Sequence, residues 1–252
     1  MLGDNFSDNM RQTGVIVKYE LKKQFRGKRI AIFAVIMVLL LALCTILPYA
    51  FGDGLSALSP NELARLYMGS MVQLYVILLA TLFFASIIVS EFEERTALIL
   101  FTKPLKKWSV FLGKISAALL IGFAFILIFY AVTAVISLIA LGTVTSALLK
   151  SLGLALICMV GLGGIAVLMS SVMKKASTAS ILTFALPFIL SMVSGILSLY
   201  DIDPWFMIDE AATYISASIG STEPVLTYAG VMLIWGLVTA AAGYLVFRRR
   251  EL

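Results

Sequence analysis

The densest set of chemically able side chains lies between residues 91 and 114. Glu91, Glu93 and Glu94 are followed by Arg95 and Thr96, then by an apolar run, and then by Lys103, Pro104, Lys106, Lys107 and the pair Gly113-Lys114. Carboxylates in a first turn and lysines beyond a last turn suit the two ends of a helix dipole. Pro104 interrupts a helix, because it lacks an N–H and biases Lys103 toward extended backbone. The pattern predicts about two turns of helix, a break, and a basic collar at a membrane surface. Such a segment offers charge pairing with another protein surface and no bond-making chemistry. On composition alone, an ordinary polar loop reads equally well.

Sets of residues that catalyse are missing. The chain has no histidine, which removes imidazole acid–base chemistry and histidine-containing metal sites. Its two cysteines, Cys44 and Cys158, sit inside apolar runs, so there is no disulfide framework. No apolar run carries Asp, Glu, Lys or Arg near its middle, where ion-driven carriers place their coupling groups. Nucleophile–base pairs and acidic dyads are absent from those runs too. No GxxxxGK[ST] loop is present to cradle a nucleotide. Asp201-x-Asp203 offers oxygen ligands for a divalent cation, but solvated loop carboxylates account for it better. If this chain moves something, the energy has to come from another polypeptide.

One weakly polar line remains. Ser180, Thr183, Pro187, Ser191, Ser194 and Ser198 recur every three or four residues and share one helical face. Pro187 should kink that helix, and neighbouring hydroxyls can satisfy the carbonyl it frees. On an earlier run, Gln73 and Thr81 lie two turns apart on one face. These groups form either the wall of a substrate path or close helix packing. Gln73 carries the stronger signal, because an unpartnered amide in hydrocarbon costs roughly 4–8 kcal/mol.

The elements that position these residues are long and apolar. Of 252 residues, 61% are hydrophobic and 13% charged, against roughly 25% charged in soluble domains. Residues 1–13 read as loose. Residues 14–29 read as an amphipathic helix, with Lys18, Lys22, Arg26 and Arg29 on one stripe beside Val17, Leu21 and Phe25. Such a helix lies in the membrane interface with its cations toward anionic headgroups. Six spans follow, at about 30–47, 66–90, 110–141, 152–173, 177–199 and 225–247. The first exceeds a signal-peptide core and is read as uncleaved. Gly161, Gly163 and Gly164, with Gly236, Ala240 and Gly243, suit close packing of neighbouring spans. Trp205 and Phe206 are expected to anchor the segment between the last two spans at an interface.

Six spans put both termini on one side. Of the 19 Lys and Arg residues, 17 fall on that side and only Arg65 and Lys150 on the other. The bias places the termini in the cytoplasm. It also explains the net charge of +5 as a topology signal, not a nucleic-acid patch.

The order Glu91, Glu93, Thr96, Pro104, Lys107, Gly113 and Lys114 between two spans resembles the first cytoplasmic loop of ABC-2 type transporter permeases. One position departs, since Arg95 stands where many members carry Gly. The resemblance implies an all-α membrane protein of six spans with an N-terminal interfacial helix and a cytoplasmic coupling helix between spans 2 and 3. It implies one transmembrane domain over 1–252: a segment 1–29, a bundle 30–247 and a tail 248–252. It further implies a permease in the cell membrane, working as a homodimer or with a second permease and coupled through 91–114 to a separate ATPase. That ATPase would hold the ATP and Mg, with no cofactor or metal on this chain. The second and fifth spans would line the path, with export as the preferred direction. A secondary carrier and a non-transporting scaffold are the alternatives.

Overall fold

The computed structural model describes residues 6–52, 54–93, 107–219 and 225–249, most of them helical, with no strand among them. In chain order the helices are α1 (Phe6–Arg26), α2 (Lys28–Phe51), α3 (Pro60–Met68), α4 (Ser70–Phe83) and α5 (Val89–Glu93). Next come α6 (Lys107–Leu141), α7 (Ala147–Val172), α8 (Ala176–Leu199), α9 (Ile208–Ala217) and α10 (Val225–Arg249). Six stretches are long and apolar enough to cross a membrane: α2, α3 with α4, α6, α7, α8 and α10.

Several boundaries differ from the sequence expectation, and the second span closes at Phe83, short of residue 90. The second span begins at Pro60, not near residue 66. Ser59 Oγ accepts from the Glu62 N–H, and the Glu62 carboxylate accepts from the Ser59 N–H at 2.8 Å, forming a capping box with Pro60 in the first turn. The N-terminal helix starts at Phe6, ahead of residue 14, and ends at Gly27, which is extended.

Small residues let α7 and α10 approach closely. A Cβ on Gly236 would stand 2.7 Å from the Val160 carbonyl oxygen, and one on Gly164 would collide with the backbone of Gly236. Contact at that range is open only to glycine on both faces. On the other flank, Phe33 of α2 meets Tyr75 of α4 and Phe125 of α6, each with ring centroids 4.9 Å apart. The Tyr75 hydroxyl donates to the Phe125 carbonyl at 3.0 Å, so the ring's polar end is satisfied inside the core. Of the six spans, α7 is the most buried and α8 the least.

The two ends of the bundle are tied differently. At one end lie α1, α5, the start of α6 and the close of α10, where Lys107 Nζ donates to the Arg248 carbonyl. At the other, α9 packs beside the opening turns of the second span: Arg65 Nε of α3 donates to the Ile219 carbonyl at 2.8 Å, and Ser151 Oγ of α7 to the Ile215 carbonyl.

Candidate functional site

The five-residue helix α5 is where the expected docking loop begins, and it is bonded to four other elements. After Phe83 the chain leaves regular α-helix for turns over 84–88. The turn ends where Ser170 Oγ of α7 accepts from the Ile88 and Val89 N–H groups at 3.0 and 3.1 Å. A side-chain oxygen from a neighbouring span thus satisfies donors that a helix start leaves open.

Glu91, one turn on, accepts from Lys114 Nζ of α6 at 2.9 Å and from Lys23 Nζ of α1 at 3.2 Å. Lys114 also pairs with Glu20 of α1 at 2.5 Å, and the side chains of this second pair are only 5% and 6% exposed. Burial of both charges is tolerable because each has its opposite within contact. The close approach depends on Gly113, where a Cβ would fall 2.7 Å from Ile16 Cγ2 of α1. Glu93 turns toward the other flank, its carboxylate accepting from the Ala176 N–H, the first of α8, at 2.8 Å.

Of the residues expected to couple to an ATPase, Glu91 and Glu93 lie on α5 and Lys107, Gly113 and Lys114 on α6. Glu94, Arg95, Thr96 and Pro104 lie outside the described residues. Glu20 carries no distinguishing signal in the sequence, since it sits among charged residues on a helix that reads as surface. The basic stripe of Lys18, Lys22, Arg26 and Arg29 is exposed, with Val15, Tyr19 and Phe25 exposed beside it. Arg29 donates to Ser86 Oγ at 2.6 Å, fixing the start of α2 to the turn after α4.

The second feature is a cavity of about 520 Å³ between α4, α7, α8 and α9. Gln73, Pro187, Ser191 and Ser194 line it, as does Ser198. Thr81 does not, and its hydroxyl bonds the Ile77 carbonyl of its own helix at 2.8 Å. Ser180 and Thr183 lie along α8 beyond the cavity; Thr183 is buried, and its hydroxyl has no partner among the described residues. Leu74, Ile77, Leu162 and Phe188 supply apolar walls.

At one end of the cavity, α9 contributes Asp209 and Glu210. Asp209 accepts from Ser194 Oγ at 3.0 Å. Burial, with Asp209 and then Asp203 nearby, holds the Glu210 carboxyl above the ordinary carboxylate range. No period in the sequence reveals that α9 folds back over this recess. Trp205 and Phe206 are both half exposed just before α9, and the Phe206 carbonyl accepts from Trp235 Nε1 at 2.8 Å.

Residues 15–252 match a family described as ABC-2 family transporter protein. No curated protein matches the chain.

Proposed function

The chain belongs to the ABC-2 family of transporter proteins, and from that premise we propose that it is a permease driven through residues 91–107 by a separate ATP-hydrolysing subunit. As a family member with six apolar helices, it is a multi-pass membrane protein and a transport component. The proposal adds a cell-membrane location with both termini in the cytoplasm, following the basic residues. Two such permeases, identical or paired with a second kind, would work with ATPase subunits that hold ATP and Mg, exporting cargo. The permease binds no cofactor in this reading.

One observation carries it. The two long walls of the cavity, α4 and α8, both end at α5: α4 runs into it through residues 84–88, and α8 starts at the Ala176 N–H held by Glu93. A push on the segment after α5 therefore reaches both walls at once. It does so at the end of the bundle where the basic residues cluster. Charge pairing through Lys23 and Lys114 keeps α1 and α6 as the fixed frame against which that push acts.

The test needs no knowledge of cargo. With Ser191→Cys in the cavity wall, ATP and vanadate trapping of the co-reconstituted ATPase should change the maleimide labelling rate by about fivefold or more, the low end of ordinary coupling energies. Adding Glu93→Ala should leave ATP hydrolysis in place and abolish the change in labelling. An unchanged response in Glu93→Ala would remove α5 from the coupling route.

A further inference from the structure

Resting on that reading, we propose that the cavity between α4, α7, α8 and α9 takes a lipophilic organic cation. Its apolar body would lie against Leu74, Ile77, Leu162 and Phe188, and its charge beside Asp209 and Glu210.

The volume of about 520 Å³ is that of a small-molecule site, and mostly apolar walls with a few convergent polar groups are the usual composition of one. Every charged side chain lining it is acidic. Among the described residues neither Asp209 nor Glu210 forms an ion pair; Asp209 has the Ser194 hydroxyl, a neutral donor. Of the two basic residues at this end, Arg65 is spent on the Ile219 carbonyl and Lys150 stands exposed on α7, and neither lines the recess. Gln73 and Ser191 are neutral and complete the polar side.

Acids in a first turn are favoured by the helix dipole on any face of α9. That effect does not ask them to face an apolar recess, where a carboxylate loses hydration. Burial first, and then Asp209 and Asp203 beside it, raise the Glu210 carboxyl, with no cation among the described residues lining the recess to offset them. An anion would meet repulsion here, and a neutral apolar molecule would leave both carboxylates uncompensated. Among the described residues no cluster of acidic, cysteine or histidine side chains suits a bare metal ion. Charge on a bulky apolar frame is what satisfies walls and rim together.

Tetraphenylphosphonium and tetraphenylborate have one shape and opposite charge, so the pair isolates the electrostatic part. Equilibrium dialysis of the full chain in phosphatidylcholine nanodiscs, corrected for empty discs, should show the phosphonium bound about tenfold or more tighter than the borate. Asp209→Asn with Glu210→Gln should weaken phosphonium binding about tenfold while leaving the borate no weaker. Glu210→Gln alone, with an unchanged melting midpoint, separates loss of charge from loss of fold. Ser191→Trp, which fills the recess, should remove binding of the phosphonium.

Equal affinity for the two ions, or a double variant that binds the phosphonium like the parent, overturns the proposal. Discs containing phosphatidylethanolamine should give the same titration. Competition by that lipid amine would reassign the site to membrane lipid and overturn a soluble occupant. The assay uses no ATPase, so its failure leaves the motor-driven reading untouched, and failure of coupling leaves this binding result standing.

Discussion

Lys114→Met is expected to destabilise the protein by about 3–5 kcal/mol, because it leaves Glu20 charged and buried without its cation. Glu91 suffers less, since Lys23 still pairs with it at 3.2 Å. Desolvation decides the size of the effect: an ion pair at an exposed surface is worth about 0–1 kcal/mol, but these two side chains are only 5% and 6% exposed. The readout is the thermal midpoint of the detergent-purified chain, expected to fall by roughly 10 °C. Glu20→Met on top of Lys114→Met should recover most of that loss, because an apolar pair of similar volume often replaces a buried ion pair without penalty. A single variant that melts within about 2 °C of the parent would show that Glu20 reaches water and that α1 is not fixed to α6 by charge.

The second large effect concerns shape. Gly164→Ala adds one methyl group where α7 meets the backbone of Gly236, and a carbonyl oxygen cannot swing aside as a side chain can. The cost should sit at or above the upper part of the usual overpacking range of about 1–3 kcal/mol. Gly153→Ala on the same helix has nothing within 4 Å of the new Cβ. It should be neutral or stabilising by about 0.5–1 kcal/mol through helix propensity alone. Melting midpoints that fall for Gly164→Ala and hold or rise for Gly153→Ala would confirm the close approach of α7 and α10. Equal midpoints for the two would mean that these helices stand farther apart.

Much of this architecture can be read from the chain before any coordinates. Runs of apolar residues mark the spans because hydrocarbon tolerates little else. Gly161, Gly164, Gly236 and Gly243 point to close packing because small residues recur there, and they do face one another across α7 and α10. Of the hydroxyl line, Ser191 and Ser194 line the cavity while Ser180 and Thr183 do not, since periodicity assigns a face but not how far a neighbour extends along it.

Other features depend on distance in the chain. Glu20 and Lys114 are 94 residues apart, and nothing local to either says that they meet. Gly113 stands out in the motif, yet its reason is Ile16 on a different helix. Asp209 and Glu210 follow a pair of aspartates that looks like a solvated loop, and only the fold of α9 over the recess gives them a second possible role. Ser59, Pro60 and Glu62 were legible in principle, since that spacing is a capping box, and they place the start of the second span one and a half turns earlier than hydropathy does.

The most direct test of the central claim is where the ATPase subunit touches this chain. Cys44 and Cys158 are buried, so a cysteine introduced at the surface can be labelled alone with a maleimide–diazirine cross-linker. In membranes containing the co-expressed ATPase, Glu94→Cys is expected to yield an adduct of the two proteins. Ile202→Cys, exposed at the end of the bundle away from α5, is expected to yield none. An adduct from position 202 and none from position 94 would contradict the account.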